Sequence, residues 1–352
     1  MKEMTNRERI DLLNQEKRLS PEVWNQLLST WDDSDRIYAG ELAGELARQR
    51  FGKKIYMRGI VEFSNCCRND CYYCGLRRSN RALSRYRLRE EEIFSCCEAG
   101  YQCGFRTFVL QGGEDPQFSP ERMAKIVAEI RRRFPDCAIT LSIGEMERGD
   151  YQRLYDAGAD RYLLRHETAD EAHYGMLHPA ELSWGHRMNC LQNLKEIGYQ
   201  TGCGMMVGAP YQTPECLARD MRFIGEFRPQ MIGMGPFMPN KDTPFADKPA
   251  GGLGLTLLLL SLCRIMLPDV LLPATTALAT LDPQGRQKGV LAGANVVMPN
   301  LSPENVRGKY MLYDRIFADG GAEMGVALLR EQMASVGYEI EISRGDYKEE
   351  TI

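Results

Sequence analysis

Cys67, Cys71 and Cys74 follow the spacing Cys-x3-Cys-x2-Cys within the run Cys66-Cys67-Arg68-Asn69-Asp70-Cys71-Tyr72-Tyr73-Cys74-Gly75. Three thiolates so close together can wrap one metal cluster, whereas a closed structural cluster or zinc site takes four ligands. Three protein ligands leave one metal with an open position, which is what a catalytic metal needs. Two other readings stand beside this one: a zinc ion completed by a distant residue, and buried thiols. The four histidines, His166, His173, His178 and His186, all lie more than 90 residues downstream and form no second paired-ligand motif. Cys66 reads as a neighbour rather than a ligand, and Tyr73 can shield a cluster from water.

A second group of residues carries charge. In Gly112-Gly113-Glu114 the glycines let a ligand approach the backbone, and an ionised Glu114 is acceptor-only, suited to a cationic ammonium group. A plain Gly-Gly turn beside a solvated acid is the alternative. Arg165 and Glu167 flank His166, so on a strand they share one face. A guanidinium such as that of Arg165 or Arg187 can clamp a carboxylate in bidentate geometry, and a carboxylate can accept from hydroxyl groups. The competing reading is a structural ion pair. Thr275-Thr276 can bind an anion or cap a helix, and Tyr310 can line a site or fill a core.

These residues need elements to position them. Apolar positions recur at helical spacing through residues 1 to about 50, and Ser20-Pro21 opens a helix as a cap followed by proline. Beyond Gly52 short apolar runs alternate with amphipathic segments. The runs are 55–64, 107–111, 138–143, 161–166, 202–207, 231–237, 270–276 and 294–298; helices are expected over 89–103, 120–134, 184–197, 214–227 and 255–266. Eight strands separated by helices predict an α/β fold, a parallel (β/α)8 TIM-type barrel. The expected organisation is an N-terminal helical extension over 1–52, the barrel over 53–309, and a short C-terminal α/β extension over 310–352 with a helix at 324–336 and a strand at 338–343. Gly112–Glu114, Ser142, Arg165–Glu167, Thr275-Thr276 and Pro299-Asn300 fall at the C-terminal ends of the runs, where a barrel keeps its active site. A doubly wound sheet is the alternative, but no Gly-x-Gly-x-x-Gly follows the first strand.

Composition narrows the class. The chain has 352 residues, 43% hydrophobic and 26% charged, with a formal charge of −4. That excludes a disordered chain, a coiled coil or a collagen-like fibre, and no basic excess calls for nucleic acid or an anionic membrane. The uncharged stretch 249–263 falls short of the roughly 20 apolar residues of a membrane span and reads as one buried helix. The charged N-terminus lacks a signal peptide's apolar centre, so a cytoplasmic location is expected, and there the 12 cysteines are thiols or metal ligands.

Cys-x3-Cys-x-aromatic-Cys after a first strand, on a barrel-sized chain, resembles the radical S-adenosylmethionine (SAM) superfamily. The runs RGIVEFSN, CGLRRSN, LQGGEDPQ, RYLLRHETA, GYQTGCGMMVGAPYQT, IGMGPFMP, PATTA and GANVVMPN, from about Arg58 to Tyr313, are similar in order and spacing to the HydE-type [FeFe]-hydrogenase maturases. The resemblance implies a [4Fe–4S] cluster on Cys67, Cys71 and Cys74. It implies reductive cleavage of SAM to methionine and a 5′-deoxyadenosyl radical. It places Tyr73, Gly112, Gly113, Glu114, Ser142, Glu167 and Arg187 with the cofactors. Arg165 falls on the substrate side, and Arg58, Gln111, Thr140, Thr275, Thr276 and Tyr310 match pocket positions suited to an anionic ligand. The implied substrate is a small iron complex bearing CO, cyanide and cysteine, supplied by a companion maturase. A scaffold protein takes the product, and a reductant protein supplies the electron.

Biotin synthase, methylornithine synthase and a non-enzymatic iron–sulfur scaffold are the rival readings. A biotin synthase would need further cysteines at later strand ends; Cys137 and Cys203 instead read as small buried hydrophobes. No cysteine follows Cys263, so an accessory C-terminal cluster is not expected. Met205, Met206, Met231, Met234, Met238 and Met298 are expected to fill the barrel and keep it dry.

Overall fold

The structure is a computed structural model that describes residues 4–314 and 322–349. Three helices come first: α1 (Asn6–Glu16), α2 (Pro21–Thr30) and α3 (Asp33–Phe51). Ser20 caps α2 as its sequence requires, its side chain accepting from the Val23 N–H, with Pro21 in the first turn. There follow β1 (Lys54–Met57), β2 (Gly59–Ser64), α4 (Glu90–Gln102), β3 (Thr107–Gly112), α5 (Pro120–Arg133), β4 (Ala138–Ser142), α6 (Arg148–Asp156) and β5 (Arg161–Leu163). After these come α7 (Glu171–Leu177), α8 (Trp184–Ile197), β6 (Gln200–Cys203), β7 (Met206–Val207), α9 (Pro214–Phe227), β8 (Met231–Ile232) and β9 (Gly235–Pro236). The last elements are α10 (Leu253–Met266), α11 (Thr276–Leu281), α12 (Gly285–Leu291), β10 (Val296–Val297), α13 (Glu304–Arg307), α14 (Ala322–Ser335) and β11 (Glu339–Glu341).

Strands β2, β3, β4, β5, β6 and β8 form one parallel sheet in sequence order. Isolated parallel bridges carry the circuit onward, Met231 to Leu271, Pro273 to Val296 and Asn300 to Ile60. The result is the expected eight-membered barrel, but with departures at its second half. The seventh run pairs only through single residues, and the runs 202–207 and 231–237 each break into two short strands. The break has a steric cause: a Cβ on Gly204 would lie 2.1 Å from the Gly233 carbonyl oxygen, so the two backbones approach where no side chain fits.

The first run also breaks, at Arg58. β1 pairs with β10 on one side and with β11 on the other, Lys54 opposite Glu339 and Tyr56 opposite Glu341. The chain after β11 then lies across the N-terminal end of the barrel. Arg161 is fully buried there: it donates to Thr107 Oγ1 (3.2 Å) and the Arg344 carbonyl (2.7 Å) and pairs with Asp346 (2.6 Å). The expected helix at 255–266 is α10, buried throughout from Thr256 to Met266 and packed on α3. α2 packs on α9, so the N-terminal helices share one continuous core with the barrel. Among the described residues no helix is long and apolar enough to cross a membrane.

Candidate functional site

The cysteine loop leaves the C-terminal end of β2 and folds over the barrel mouth. Its inner wall is the end of β3: the Gly113 N–H donates to the Ser64 carbonyl (3.2 Å) and the Arg68 N–H to the Glu114 carbonyl (2.9 Å). A Cβ on Gly113 would sit 2.3 Å from the Cys66 carbonyl oxygen and 2.8 Å from the Cys67 Cβ, so only glycine lets the two segments touch. Cys67, Cys71 and Cys74 are half-buried and free, while the Cys66 thiol turns away toward the Tyr86 carbonyl. Burial pushes the Cys74 thiol up to about 12 and holds Cys71 well above the usual thiol range; the charge of Cys67 adds to the effect on Cys74, and those of Cys74 and Cys67 to the effect on Cys71. Metal coordination reverses that balance, because a bound thiol is deprotonated outright. Among the described residues no three His, Cys, Asp or Glu side chains converge as ligands of a single ion. A cubane binds each thiolate through a different iron, so its sulfurs stand further apart than around one ion. The donor set and the glycine cradle therefore fit a three-cysteine cluster.

An apolar lid covers the loop. Tyr72 and Tyr73 pack on Leu177, Met206, Ala209, Phe237 and Phe245. The Tyr73 hydroxyl meets His178 Nε2 at 3.2 Å, and the His178 ring stacks on Tyr174.

The ends of β4 and β5 bring the charged residues together. Arg187, on α8, is buried against Glu145 and donates to the Arg165 carbonyl (2.7 Å). Burial alone would pull the Arg187 guanidinium down, but the Glu145 carboxylate together with Tyr174 and Tyr73 outweighs it and holds the guanidinium well above its ordinary value. Arg165 Nη2 and Glu167 Oε2 stand 2.9 Å apart, yet the pair is misaligned for a hydrogen bond. Glu167 has φ +64°, a left-handed conformation that costs a non-glycine residue about 1–3 kcal/mol and collects at functional sites. Gln111 and Ser142 lie side by side in the β3–β4 register, and Tyr310 is buried with its hydroxyl on the Gln111 side chain, close to Glu62 and Cys74.

Deeper in the barrel the polar atoms lack partners. Thr140, in the middle of β4, and Thr275, before α11, have buried hydroxyls without hydrogen bonds among the described residues, as do Arg165 Nε and Arg58 Nε. Thr275 occupies the capping position of α11 but does not cap it with its side chain, and Thr276 is half-buried as the first residue of that helix. Met205, Met206, Met231 and Met234 are buried in the interior, while Met238 and Met298 are half-buried.

One expectation needs correction. Arg58 was expected at the catalytic face, but β2 begins after it, and its guanidinium lies at the opposite end, by Met231 Sδ (2.9 Å) and the Gly345 carbonyl (3.5 Å). Burial and the neighbouring Arg161 both disfavour its charge. The Glu114 carboxylate pairs with Arg68 (3.0 Å) and accepts from the Glu145 N–H (3.0 Å), over the Gly144 backbone. Sequence reasoning missed Glu145. The available signal was an acid three residues beyond Ser142, at the end of a barrel strand.

The family model of the radical SAM superfamily matches residues 61–224. The chain is 45% identical over 310 residues, 88% of each chain, to the [FeFe] hydrogenase maturase subunit HydE of Thermotoga maritima. It is 27% identical over 300 residues to the 3-methylornithine synthase of Methanosarcina acetivorans, 85% of this chain and 84% of that one. Among solved structures, methylornithine synthase (PylB) superposes with a TM-score of 0.83 at 25% identity, over 95% of this chain and 97% of that one. With this barrel, this cysteine loop and that identity to HydE, the chain belongs to the radical SAM superfamily, in the HydE branch of the hydrogenase maturases, and is an enzyme that works with a [4Fe–4S] cluster and SAM.

Proposed function

We propose that the barrel mouth is divided between SAM and a small anionic iron complex carrying CO, cyanide and cysteine, and that the enzyme converts this complex toward the diiron precursor of the hydrogenase active site. The observation that carries the reading is the set of buried, unpaired polar atoms on Thr140, Arg165 and Thr275. An unpaired buried polar group costs about 1–3 kcal/mol, so three on one interior await a ligand with matching acceptors. One of the three is a guanidinium, which favours an anion.

Cys67, Cys71 and Cys74 would hold the cluster, with Tyr73 excluding water from it. The Gly112–Gly113 backbone, Ser142, Glu167 and Arg187 would hold SAM, and Glu114 would exchange the largely exposed Arg68 for the cationic ammonium group. When bound, cluster and SAM together supply a 5′-deoxyadenosyl radical. Arg165 would orient the substrate together with Thr140 and Thr275; Gln111 and Tyr310 would line its upper wall, with Thr276 beside Thr275. A companion maturase would deliver the complex, a scaffold protein would accept the product, and a reductant protein would supply the electron.

Losing one charge-assisted contact costs about 1.5–3 kcal/mol, or roughly ten- to hundredfold in affinity. Glu167→Ala should therefore weaken SAM binding in anaerobic calorimetry, while Arg165→Ala should leave it nearly intact and impair maturation of active hydrogenase in a reconstituted assay. Equal loss of SAM affinity in both variants would assign Arg165 to the cofactor and overturn the division.

A further inference from the structure

Between Arg165 and Glu167 stands a residue that neither half of the site uses. His166 is fully buried, with its ring edge-on to Phe223. Its Nδ1 accepts the Gly204 N–H (3.2 Å), and its Nε2 lies 3.3 Å from Asp220 Oδ1. On a neutral imidazole a nitrogen that accepts an N–H carries no hydrogen, which leaves the ring's proton on Nε2, beside Asp220 but not aligned on it as a hydrogen bond. Asp220 is also fully buried, on α9, and its Oδ1 accepts the Ala169 N–H (2.5 Å).

The pair joins three segments. Gly204 follows β6, and its carbonyl accepts the Glu167 N–H (3.0 Å), next to the bridge between Glu167 and Met205. Ala169 lies two residues beyond Glu167. The strained Glu167 is thus held from both sides, by Gly204 before it and by Asp220 after it, and both holds run through the His166 ring or its partner. Left-handed backbone at a non-glycine residue persists only where its surroundings over-determine it.

We infer that His166 and Asp220 are positioning residues, which hold Glu167 in its left-handed conformation and so keep its carboxylate at the barrel mouth. The inference rests on the reading of Glu167 as a SAM residue. It assigns a task to the middle residue of Arg-His-Glu and to an aspartate more than 50 residues away.

The test is SAM affinity by anaerobic calorimetry on cluster-loaded protein, with iron content and melting temperature measured alongside. H166F keeps the ring against Phe223 but removes both polar arms. It should retain its iron and lose about tenfold in SAM affinity, the low end of what the outer partners of a ligand site contribute. H166N keeps an acceptor at the Nδ1 position and should recover most of that loss. The decisive measurement is a cycle with E167A. If His166 acts through Glu167, H166F on the E167A background should cost little more. Full additivity, or wild-type SAM affinity in H166F, would overturn the inference. No loss in E167A alone would instead overturn the assignment of Glu167, which the same data separate. Should H166F not fold, H166Q takes its place in the cycle, because it keeps a donor toward Asp220 but offers Gly204 no acceptor.

Discussion

Replacing Gly113 with alanine tests whether the end of β3 sets the position of the cysteine loop. The added Cβ would lie 2.3 Å from the Cys66 carbonyl oxygen and 2.8 Å from the Cys67 Cβ, where ordinary contact is 3.4–4 Å. Something must therefore move by about 1 Å, whereas metal–ligand distances tolerate only about 0.2 Å. The β3 side cannot yield easily, since the Gly113 N–H is bonded to Ser64 and the Glu114 carbonyl to the Arg68 N–H. Cys67 is the part that shifts. Stability should fall by about 1–3 kcal/mol, the usual cost of overpacking, but the larger effect should be on iron. After anaerobic reconstitution, iron and sulfide content should drop well below the wild-type value. Two neighbours make the comparison fair. Alanine at Gly112 meets the Phe63 ring (2.9 Å), on the side away from the cysteines, and should cost stability but not iron; at Gly149 it meets nothing within 4 Å and should cost neither. A Gly113→Ala protein that loaded its full iron with wild-type thermal stability would refute the reasoning.

The remaining expectations concern metal, floor and pH. Triple replacement of Cys67, Cys71 and Cys74 by alanine should abolish the iron and the paramagnetic signal of the reduced form; with no cysteine beyond Cys263, eight irons per wild-type chain would contradict a single cluster. Asp346→Ala should cost about 3 kcal/mol, because it leaves the fully buried Arg161 without its paired carboxylate; Asp346→Asn should cost less, and equal melting temperatures for both variants and wild type would remove the floor from the account. Burial, helped by Arg187, lowers the His178 pKa to about 4, so the stability it contributes is complete above its ordinary value of 6.5 and is lost as pH falls toward 4. Between pH 7 and 5 the loss should be about 2 kcal/mol in denaturant titrations, and His178→Gln should flatten it.

Much of the barrel was legible because its signals are local. Short apolar runs separated by helical stretches pointed to eight strands, and serine before proline marked the helix start that the structure keeps at Ser20; the helices expected from 120 and 214 open with the same device, at Ser119 and Thr213. The strand breaks were not legible, because they depend on which glycines face one another across the barrel. Gly204 and Gly233 are 29 residues apart in sequence but meet directly in space. The same limit explains Arg58. Alternation along a strand tells which side a residue faces, not how high it stands, and its height was set by β11, a strand from the far end of the chain pairing on β1.

Glu145, His166 and Asp220 escaped for a related reason, since none belongs to a spacing that names a chemistry. Each acts by holding a neighbour: Glu145 holds Arg187, and Asp220 holds the loop that carries Glu167. Residues that position others are specified by tertiary contact alone, and a fully buried acid on a helix reads in sequence like any solvated one. The barrel nevertheless constrains where they sit. Its mouth is built from short strand ends and left-handed turns that cannot hold a carboxylate or guanidinium in place by regular pairing. Each exposed functional group there needs a buried partner behind it, on the next strand or the helix that follows. Arg187 behind Arg165 and Asp220 behind Ala169 are two such cases, and both lie on the helices flanking β6. That arrangement puts the control of the Arg165–Glu167 side of the mouth on α8 and α9, outside the barrel wall rather than within it.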